Sequence, residues 1–525
     1  MIKAMRLRNL RSFSDSLDQP FIELKPITIL VGKNSCGKSS FIRSLPLLRQ
    51  SIEAKTTGPI LWFGSYVDFG AFSEALNTDA GNNTIFFDFK LSINPQNKIN
   101  EFFFWNEEYL TSHKNDVHLD VTVEVGVDQI KNKTVAKEIV VRVPEFTYKI
   151  IREDDSERCS LYINDELQLQ DLYLISRNRS FIPAVVGIKK IIRNTADGKK
   201  VSGSFILERH IKDFYSSKLE SILKPYFHTN TSEETITKGI NNLGVMKKED
   251  TYSILKNTFN RNSSFTKAIV KSKESICNIT YELSMHKSLS NILDEINDTI
   301  GRYFSNIRYI APLRATAERY YRHQDLQIDE IDHTGSNLAM LLKSLTQREQ
   351  DLFMQWTSSN FGFKVWVEEL GLHYALKIKT ENDTKEYNIN DMGFGFSQIL
   401  PIVASIWHEK IKDNVRTRDI EKQRIFVIEQ PELHLHPEYQ SRLARMFCKV
   451  VSTAAKSGIK IIFETHSKTM IDTIGDCIEE KTISNEDVNI VLFDKKDDCF
   501  TNVSFSEFDK DGYLLKWPIG FFTGR

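Results

Sequence analysis

Hydrophobic and polar positions at both ends of the chain follow the alternation of strands and helices that an α/β protein requires. Residues 27–31 form a nearly continuous apolar run, which fits a strand buried on both faces, and apolar residues recur at helical spacing over 41–50. Residues 3–8 alternate apolar and basic side chains, which predicts another strand. The same order returns after residue 300. The elements predicted there are strand 306–311, helix 394–407, strand 424–429, helix 438–451, strand 460–464 and strand 488–493.

Between these ends the pattern changes twice. Residues 58–169 contain β-branched and aromatic stretches separated by turn residues, which predicts an antiparallel sheet. Residues 203–300 have apolar positions three and four apart, which predicts helices, but no sustained heptads, which excludes a long coiled coil. We therefore predict an α/β core assembled from both chain ends, with an antiparallel β subdomain and a helical insertion. The expected bounds are 1–57 for the N-terminal part of the core, 58–202 for the β-rich subdomain, 203–300 for the helical insertion, 301–390 for a return to the core with strands, and 391–525 for its C-terminal part.

Composition and charge narrow the class of protein. The 525 residues include 69 Lys and Arg and 70 Asp and Glu, a net charge of −1, so no global field draws the molecule onto nucleic acid. The longest apolar stretches, such as 399–407, are far shorter than the ~18 residues of a membrane span. The N-terminus lacks the apolar region of a signal peptide, and the six cysteines have no zinc-site spacing. We expect a cytoplasmic protein without a membrane partner.

A phosphate-binding loop follows the strand at 27–31. The segment matches G-x-x-x-x-G-K-[ST] in full, with a predicted strand before it and a predicted helix after it. In such a loop, successive backbone N–H groups surround an anion at a helix N-terminus. Lys38 would reach the β- and γ-phosphates of a nucleotide, and the Ser39 hydroxyl would ligate Mg²⁺. The expected nucleotide-binding residues are Gly32, Lys33, Asn34, Ser35, Cys36, Gly37, Lys38, Ser39 and Ser40.

Two further strands are predicted to end in polar residues. The strand 424–429 ends at Glu429, which could hold Mg²⁺ together with Ser39, and Glu432 follows closely. The strand 460–464 leads to His466, which could contact the γ-phosphate or the attacking water. The two histidines His434 and His436 lack the spacing of a helical zinc pair, so we assign them to a turn.

A glycine-containing segment at the start of the helix 394–407 looks like a divergent ABC-type signature. Its expected donors are Gly393, Gly395, Ser397 and Gln398. In ABC ATPases such donors complete the γ-phosphate site of the opposite protomer. The whole set of motifs resembles the SMC/RecF/OLD branch of ABC ATPases. The closer resemblance is to the PtuA-type ATPases of Septu and retron-associated antiphage systems, and it rests on segments 309–314, 319–321 and 517–522.

The resemblance implies an ATP- and Mg²⁺-dependent ATPase that forms a head-to-tail homodimer or a higher oligomer. It also implies antiphage defence with an HNH-type nuclease subunit, and a reverse transcriptase with its DNA–RNA product as a further partner. This chain departs from the family pattern at Gln430, where the catalytic glutamate of the family stands, so Glu432 or His466 would have to polarise the water. The chain after His466 is too short for a Toprim nuclease domain, and we expect no nuclease site.

An alternative is a RecF-like ATP-dependent clamp that grips duplex DNA in repair or replication. Short basic pairs at 189–190 and 199–200 could touch phosphates, although such runs are usually solvated surface. A transport ATPase that lacks its membrane domain fits less well, because of the large middle insertion.

Overall fold

The computed structural model describes residues 1–79, 81–95, 117–153, 155–177, 180–194, 200–322, 328–371, 373–415, 423–453, 458–495 and 500–518. The chain forms two compact units. The middle unit contains Met1–Ile2, Lys55–Pro59 and Phe87–Gly301, and the terminal unit contains Lys3–Ala54, Ile60–Phe86 and Arg302–Arg525. Lys199, and residues 519–522 of the segment 517–522, lie outside the described residues.

Twenty-one strands are present in the described part of the chain. They are β1 (Ile2–Arg8), β2 (Ile22–Glu23), β3 (Ile27–Gly32), β4 (Ile85–Ile93), β5 (Leu119–Ile130), β6 (Lys133–Arg142), β7 (Thr147–Arg152), β8 (Arg158–Ile163), β9 (Glu166–Ile175), β10 (Ala184–Asn194), β11 (Lys200–Leu207), β12 (Ile307–Ile310), β13 (Tyr321–Arg322), β14 (Phe363–Leu370), β15 (His373–Thr380), β16 (Tyr387–Asn388), β17 (Arg424–Glu429), β18 (Ile459–Glu464), β19 (Val488–Asp494), β20 (Asn502–Phe508) and β21 (Leu514–Leu515).

The α-helices of the described residues number thirteen. They are α1 (Lys38–Glu53), α2 (Phe72–Ala75), α3 (His210–Leu223), α4 (Glu233–Asn242), α5 (Thr251–Thr258), α6 (Ser263–Lys271), α7 (Lys273–Lys287), α8 (Leu289–Ser305), α9 (Leu338–Ser344), α10 (Gln347–Phe361), α11 (Phe394–Val415), α12 (Pro437–Thr453) and α13 (Lys468–Glu479). None of the helices in the described residues is both long enough and apolar enough to cross a membrane.

A seven-stranded sheet organises the terminal unit, in the order β12-β17-β18-β3-β19-β20-β21. The first five strands are parallel neighbours, and the last two pairings are antiparallel. Every residue of β3, β17 and β18 is buried, as the apolar runs predict for strands covered on both faces. Because neighbouring parallel strands end at the same edge, the carboxyl ends of β17, β18 and β3 lie side by side. The predicted α/β fold with its core built from both chain ends is confirmed.

The other elements of the terminal unit include a small antiparallel sheet. Its strands β13, β15 and β14 pair in that order, and β16 pairs with β15. Helix α11 begins at Phe394 as predicted but continues to Val415, with Pro401 inside it. It is therefore eight residues longer than the helix predicted over 394–407.

The middle unit combines the predicted antiparallel sheet with the predicted helices. Strands β5 to β11 pair each with the next in antiparallel fashion. Phe87, Phe89 and Phe181 pack edge to face in its core. Residues 203–207 are strand rather than helix, because Phe205 and Ile206 pair with β10, and the first helix starts at His210. In the described structure the β-rich and helical segments share one compact unit.

Candidate functional site

The loop between β3 and α1 makes a tight turn at the edge of the sheet. Two of its residues have left-handed backbone conformations, Ser35 with φ 61° and Gly37 with φ 98°. A Cβ atom at Gly37 would lie 2.4 Å from the Thr501 hydroxyl oxygen, so only glycine fits there. That hydroxyl donates to the Cys36 carbonyl at 3.0 Å and holds the loop from outside.

The predicted loop residues differ in how much they face solvent. The backbone turn points three side chains outward and buries four residues at its base. Lys33, Asn34 and Ser35 are exposed, Gly32, Cys36, Gly37 and Lys38 are buried, and Ser39 and Ser40 are half-buried.

Lys38 and Ser39, the first two residues of α1, both face Glu464 at the end of β18. Lys38 Nζ donates to the carbonyls of Gly32 at 2.9 Å and Lys33 at 2.7 Å, and it lies 3.9 Å from Glu464 Oε1. Ser39 Oγ donates to Glu464 Oε2 at 3.0 Å. Burial lowers the pKa of Lys38, although the negative charge of Glu464 acts to raise it. Burial also raises the pKa of Glu464, although the positive charge of Lys38 acts to lower it. The loop thus has a cation and a carboxylate at its base.

Glu429, at the end of β17, is held by two side chains from other elements. Arg43, one turn after Ser39 on α1, donates from Nε and Nη2 to the two carboxylate oxygens at 2.8 and 2.9 Å. The Tyr309 hydroxyl, from β12, donates to Oε1 at 2.6 Å. The carboxylate is 3% exposed, and this contact with Arg43 raises the pKa of the guanidinium. Glu429 is therefore already neutralised and hydrogen-bonded on both oxygens.

The residues after Glu429 form a second polar group. Gln430 has φ 44° and its backbone N–H donates to the Glu464 carbonyl at 3.0 Å. Glu432 Oε1 accepts from the His466 backbone N–H at 2.7 Å, and burial raises the pKa of this carboxyl. Partial burial lowers the pKa of His466, whose side chain remains exposed. The structure therefore brings Gln430, Glu432 and His466 together at the edge of β17 and β18.

Arg314 closes this polar group from the segment after β12. Its Nη2 donates to the Glu429 carbonyl at 2.8 Å, and burial lowers its pKa to about 10. In this polar group, three of the buried side-chain atoms in the described structure have no hydrogen-bond partner: Arg314 Nε, Arg314 Nη1 and Glu432 Oε2. Open donors on Arg314 and an open acceptor on Glu432 fit an ordered water, which can accept from one and donate to the other.

The predicted signature residues lie at the N-terminus of α11. Gly393 is exposed with φ 83°, and a Cβ atom at Gly395 would lie 3.2 Å from the His434 carbonyl oxygen. Ser397 is only 6% exposed and its hydroxyl donates to the Phe394 carbonyl at 2.7 Å, while Gln398 donates to the Arg314 carbonyl at 3.3 Å. Of the four predicted donors, the structure exposes the glycine backbone and turns both polar side chains inward.

Four residues of this site had no assigned role in the sequence prediction: Arg43, Tyr309, Arg314 and Glu464. Glu464 ends an apolar strand as Glu429 does, which is the signal that could have identified it. Arg43 is four residues after Ser39, and this spacing places both on one face of α1. Tyr309 and Arg314 begin and end a segment used only for its resemblance. Their contacts with β17 depend on strand order, which spacing does not reveal.

The side chains at the sheet edge fit Mg²⁺ bound with a nucleotide. No group of three or more His, Cys, Asp and Glu side chains that could hold a metal occurs among the described residues. Mg²⁺ at nucleotide sites needs only one or two carboxylates, because phosphate oxygens and waters complete its shell. The Ser39 hydroxyl beside a buried carboxylate supplies that donor set.

Comparison with known proteins gives a match over most of the chain. No curated protein matches. An Smc head domain with an extended coiled coil bound to the C-terminal domain of ScpA, derived from Pyrococcus furiosus, is 12% identical over 96% of both chains, with a TM-score of 0.35. An Smc head bound to the C-winged helix domain of ScpA is 11% identical over 97% of this chain and 98% of that chain, with a TM-score of 0.36. An Smc head with a coiled coil and joint from Pyrococcus yayanosii is 9% identical over 98% of both chains, with a TM-score of 0.33. The family described as the AAA ATPase domain matches residues 1–471.

Proposed function

Because this chain belongs to the AAA ATPase domain family, which matches residues 1–471, we propose that it binds and hydrolyses ATP with Mg²⁺ at the loop between β3 and α1. The observation that carries the proposal is the placement of Lys38 and Ser39 at the base of a loop whose backbone turns at Ser35 and Gly37. This is the arrangement that cradles phosphates at a helix N-terminus.

The roles of the loop residues follow from their present contacts. Lys38 Nζ is held by two loop carbonyls, and a nucleotide would take those hydrogen bonds over with its β- and γ-phosphates. Ser39 would ligate Mg²⁺ through its hydroxyl. When bound, Mg²⁺ would neutralise the negative charge that develops on the phosphates.

Water activation is assigned to Glu432. Gln430 has an amide in place of a carboxylate and cannot take a proton at neutral pH. Glu432 Oε2 is buried without a partner in the described structure, and its raised pKa makes it a stronger base than an exposed glutamate. The His466 backbone N–H donates to Glu432, and its exposed side chain would contact the γ-phosphate.

We further propose that ATP joins two copies of the chain head to tail and that the dimer regulates a partner nuclease in antiphage defence. Segments 309–314 and 319–321 resemble PtuA-type ATPases. This resemblance supports the proposal that the partner nuclease is an HNH-type subunit and that a reverse transcriptase with its DNA–RNA product is a second partner. The exposed backbone at Gly393 supports the proposal that the signature segment faces a second copy of this chain. The middle unit is the proposed partner surface.

Nucleotide binding is tested by titrating purified chain with a fluorescent ATP analogue. Lys38→Ala should abolish binding and turnover. Lys510→Ala is the matched control, because Lys510 has an exposed side chain in the same unit, outside the loop, and this variant should bind as the wild type does. Equal binding by both variants would contradict the assignment of the loop.

The partner proposal is tested by purifying the tagged chain from its native host in low salt and identifying what co-elutes. A stoichiometric nuclease, with or without a reverse transcriptase and its nucleic acid, supports the defence function. A dimer that carries only duplex DNA would instead favour the RecF-like clamp. A clamp of that kind with ~6–10 phosphate contacts should lose about 10³–10⁵ in DNA affinity between roughly 50 and 200 mM salt.

A further inference from the structure

We propose that Glu464, and not Glu429, is the carboxylate that ligates Mg²⁺ beside Ser39. In this arrangement Glu429 is a structural anchor, held by Arg43 and Tyr309. The inference rests on the proposed nucleotide site and assigns its metal ligands. It reverses the expectation from the sequence, in which Glu429 was paired with Ser39.

The hydrogen bonds of Glu429 argue against a role as metal ligand. Both of its oxygens accept from the Arg43 guanidinium, and Oε1 also accepts from the Tyr309 hydroxyl at 2.6 Å. A bidentate contact of this kind is among the strongest that a carboxylate makes. Ligation of a cation would have to replace two charge-assisted bonds and the Tyr309 hydrogen bond on a carboxylate that is only 3% exposed.

The charge of Arg43 argues in the same direction. Arg43 and Ser39 lie one turn apart on α1, so the guanidinium that holds Glu429 is a fixed positive group at this position. A divalent cation next to Glu429 would face that positive group at short range. The pair of Arg43 and Glu429 is thus complete without a metal.

Glu464 has the opposite surroundings. It accepts from the Ser39 hydroxyl at 3.0 Å, so a carboxylate oxygen and the hydroxyl expected to ligate Mg²⁺ already lie together. Its nearest cation is Lys38, 3.9 Å away, which the phosphates would draw off. The charge of Arg43 also acts on Glu464, but the Arg43 guanidinium is hydrogen-bonded to Glu429. The carboxylate would then have no cation in direct contact, and a cation bound to Ser39 and to the phosphates would supply one.

Strand order holds Glu464 in this position. β18 lies directly beside β3, and Glu464 pairs in register with Leu30, two residues before the loop begins. β17, which carries Glu429, is one strand further away. The carboxylate that ends the adjacent strand therefore meets the loop, and the next one meets Arg43.

The test measures metal affinity directly. Mn²⁺, a spectroscopic substitute for Mg²⁺, is titrated by electron paramagnetic resonance into full-length protein that holds a non-hydrolysable ATP analogue. Glu464→Gln should weaken Mn²⁺ binding at least about tenfold, because even residues that only support metal ligands commonly cost ~10–100-fold. Glu429→Gln should leave Mn²⁺ affinity near that of the wild type. The opposite order would overturn the proposal.

Two controls separate this inference from the proposed function and from misfolding. Nucleotide affinity measured in EDTA reports on the loop without a metal. If the wild type binds no nucleotide there, the proposed function fails. If the wild type binds nucleotide and Glu464→Gln keeps the wild-type Mn²⁺ affinity, only the metal assignment fails. The second variant pair is Glu464→Cys and Glu429→Cys. A thiolate ligand prefers the softer Cd²⁺, so the ratio of Cd²⁺ to Mn²⁺ affinity should rise for Glu464→Cys only. A rise for Glu429→Cys instead would refute the proposal.

Discussion

At the scale of single residues, the proposed activation of water depends on the Glu432 side chain. We predict that Glu432→Gln lowers the turnover number by about 10²–10⁴, the usual contribution of a positioned general base, with nucleotide affinity unchanged. The base must be deprotonated to act, and burial raises its pKa. Turnover of the wild type should therefore fall on acidification at a pH above the ordinary glutamate range, and the variant should lose this dependence. Steady-state phosphate release across pH measures both.

The control for this prediction is the neighbouring position. Gln430→Glu adds a carboxylate at the position where the resemblance implies a catalytic glutamate and leaves Glu432 in place, so turnover should be retained or increased. If Glu432→Gln keeps more than half of the wild-type turnover while Gln430→Glu raises it, then water is activated from position 430 and the assignment to Glu432 is wrong.

Tyr309 supplies a second prediction at this scale. Tyr309→Phe removes one hydrogen bond to the buried Glu429 carboxylate, which should destabilise the terminal unit by about 1.5–3 kcal/mol. Tyr66→Phe is the matched control, because the Tyr66 hydroxyl donates to Glu53 in an exposed contact and its loss should cost about 0.5 kcal/mol or less. Hydrogen exchange of β12 and β17, followed by mass spectrometry in denaturant, measures both changes. Equal losses of stability in the two variants would mean that the hydrogen bond to Glu429 stabilises the terminal unit no more than an exposed hydrogen bond does.

Whole elements were predicted well where one physical signal dominates. The apolar runs that became β3, β17 and β18 are buried at every residue, so hydrophobicity alone identified them. The last eight residues of α11 were missed because the apolar stretch ends at Trp407 and residues 408–415 are mostly polar, which gives no apolar spacing to follow. The role of Glu464 was missed for a different reason: it depends on β18 lying next to β3, and local sequence carries no signal for strand order.

Helix α7 of the middle unit carries a prediction of its own. His286 is 5% exposed, its Nδ1 is 3.2 Å from the Tyr148 hydroxyl, and burial lowers its pKa to about 4. Its pKa in the unfolded chain is about 6.5, so the unfolded state binds the extra proton first as pH falls. The stability of the middle unit should fall between about pH 6.5 and 4, by roughly 3 kcal/mol in all. The charge of Lys218 lowers the pKa of His286 further, and Glu282 Oε1 lies 3.7 Å from Nε2.

The measurement compares the wild type with His286→Gln, which keeps an acceptor for Tyr148 but cannot titrate. Hydrogen exchange of α7 at pH 7.5 and pH 5, corrected for the intrinsic rate, gives the local free energy of unfolding. The wild type should lose about 2 kcal/mol more than the variant over this interval. An equal loss in both would show that other groups carry the pH dependence.

At the scale of the whole molecule, the exposed start of α11 is the part of the terminal unit that the proposed dimer uses. Phe394 is 53% exposed beside Gly393, whereas Ser397 is buried and bonded within its own helix. A substitution at Ser397 would therefore disturb the fold before it tested assembly. The informative change is at Phe394, which is half exposed and whose ring packs edge to face on the exposed His434 ring.

We predict that Phe394→Glu retains nucleotide binding and the thermal stability of the wild type but loses ATP-dependent dimerisation, because a carboxylate would have to be buried against the phosphates of the opposite copy. Val270→Glu, at a 67% exposed apolar position of the middle unit, is the control for added charge and should dimerise normally. Sedimentation velocity with and without ATP distinguishes the two variants. If Phe394→Glu dimerises with ATP as the wild type does, the N-terminus of α11 is not the contact surface. In that case the exposed glycine backbone at Gly393 would have to serve the chain's own fold instead.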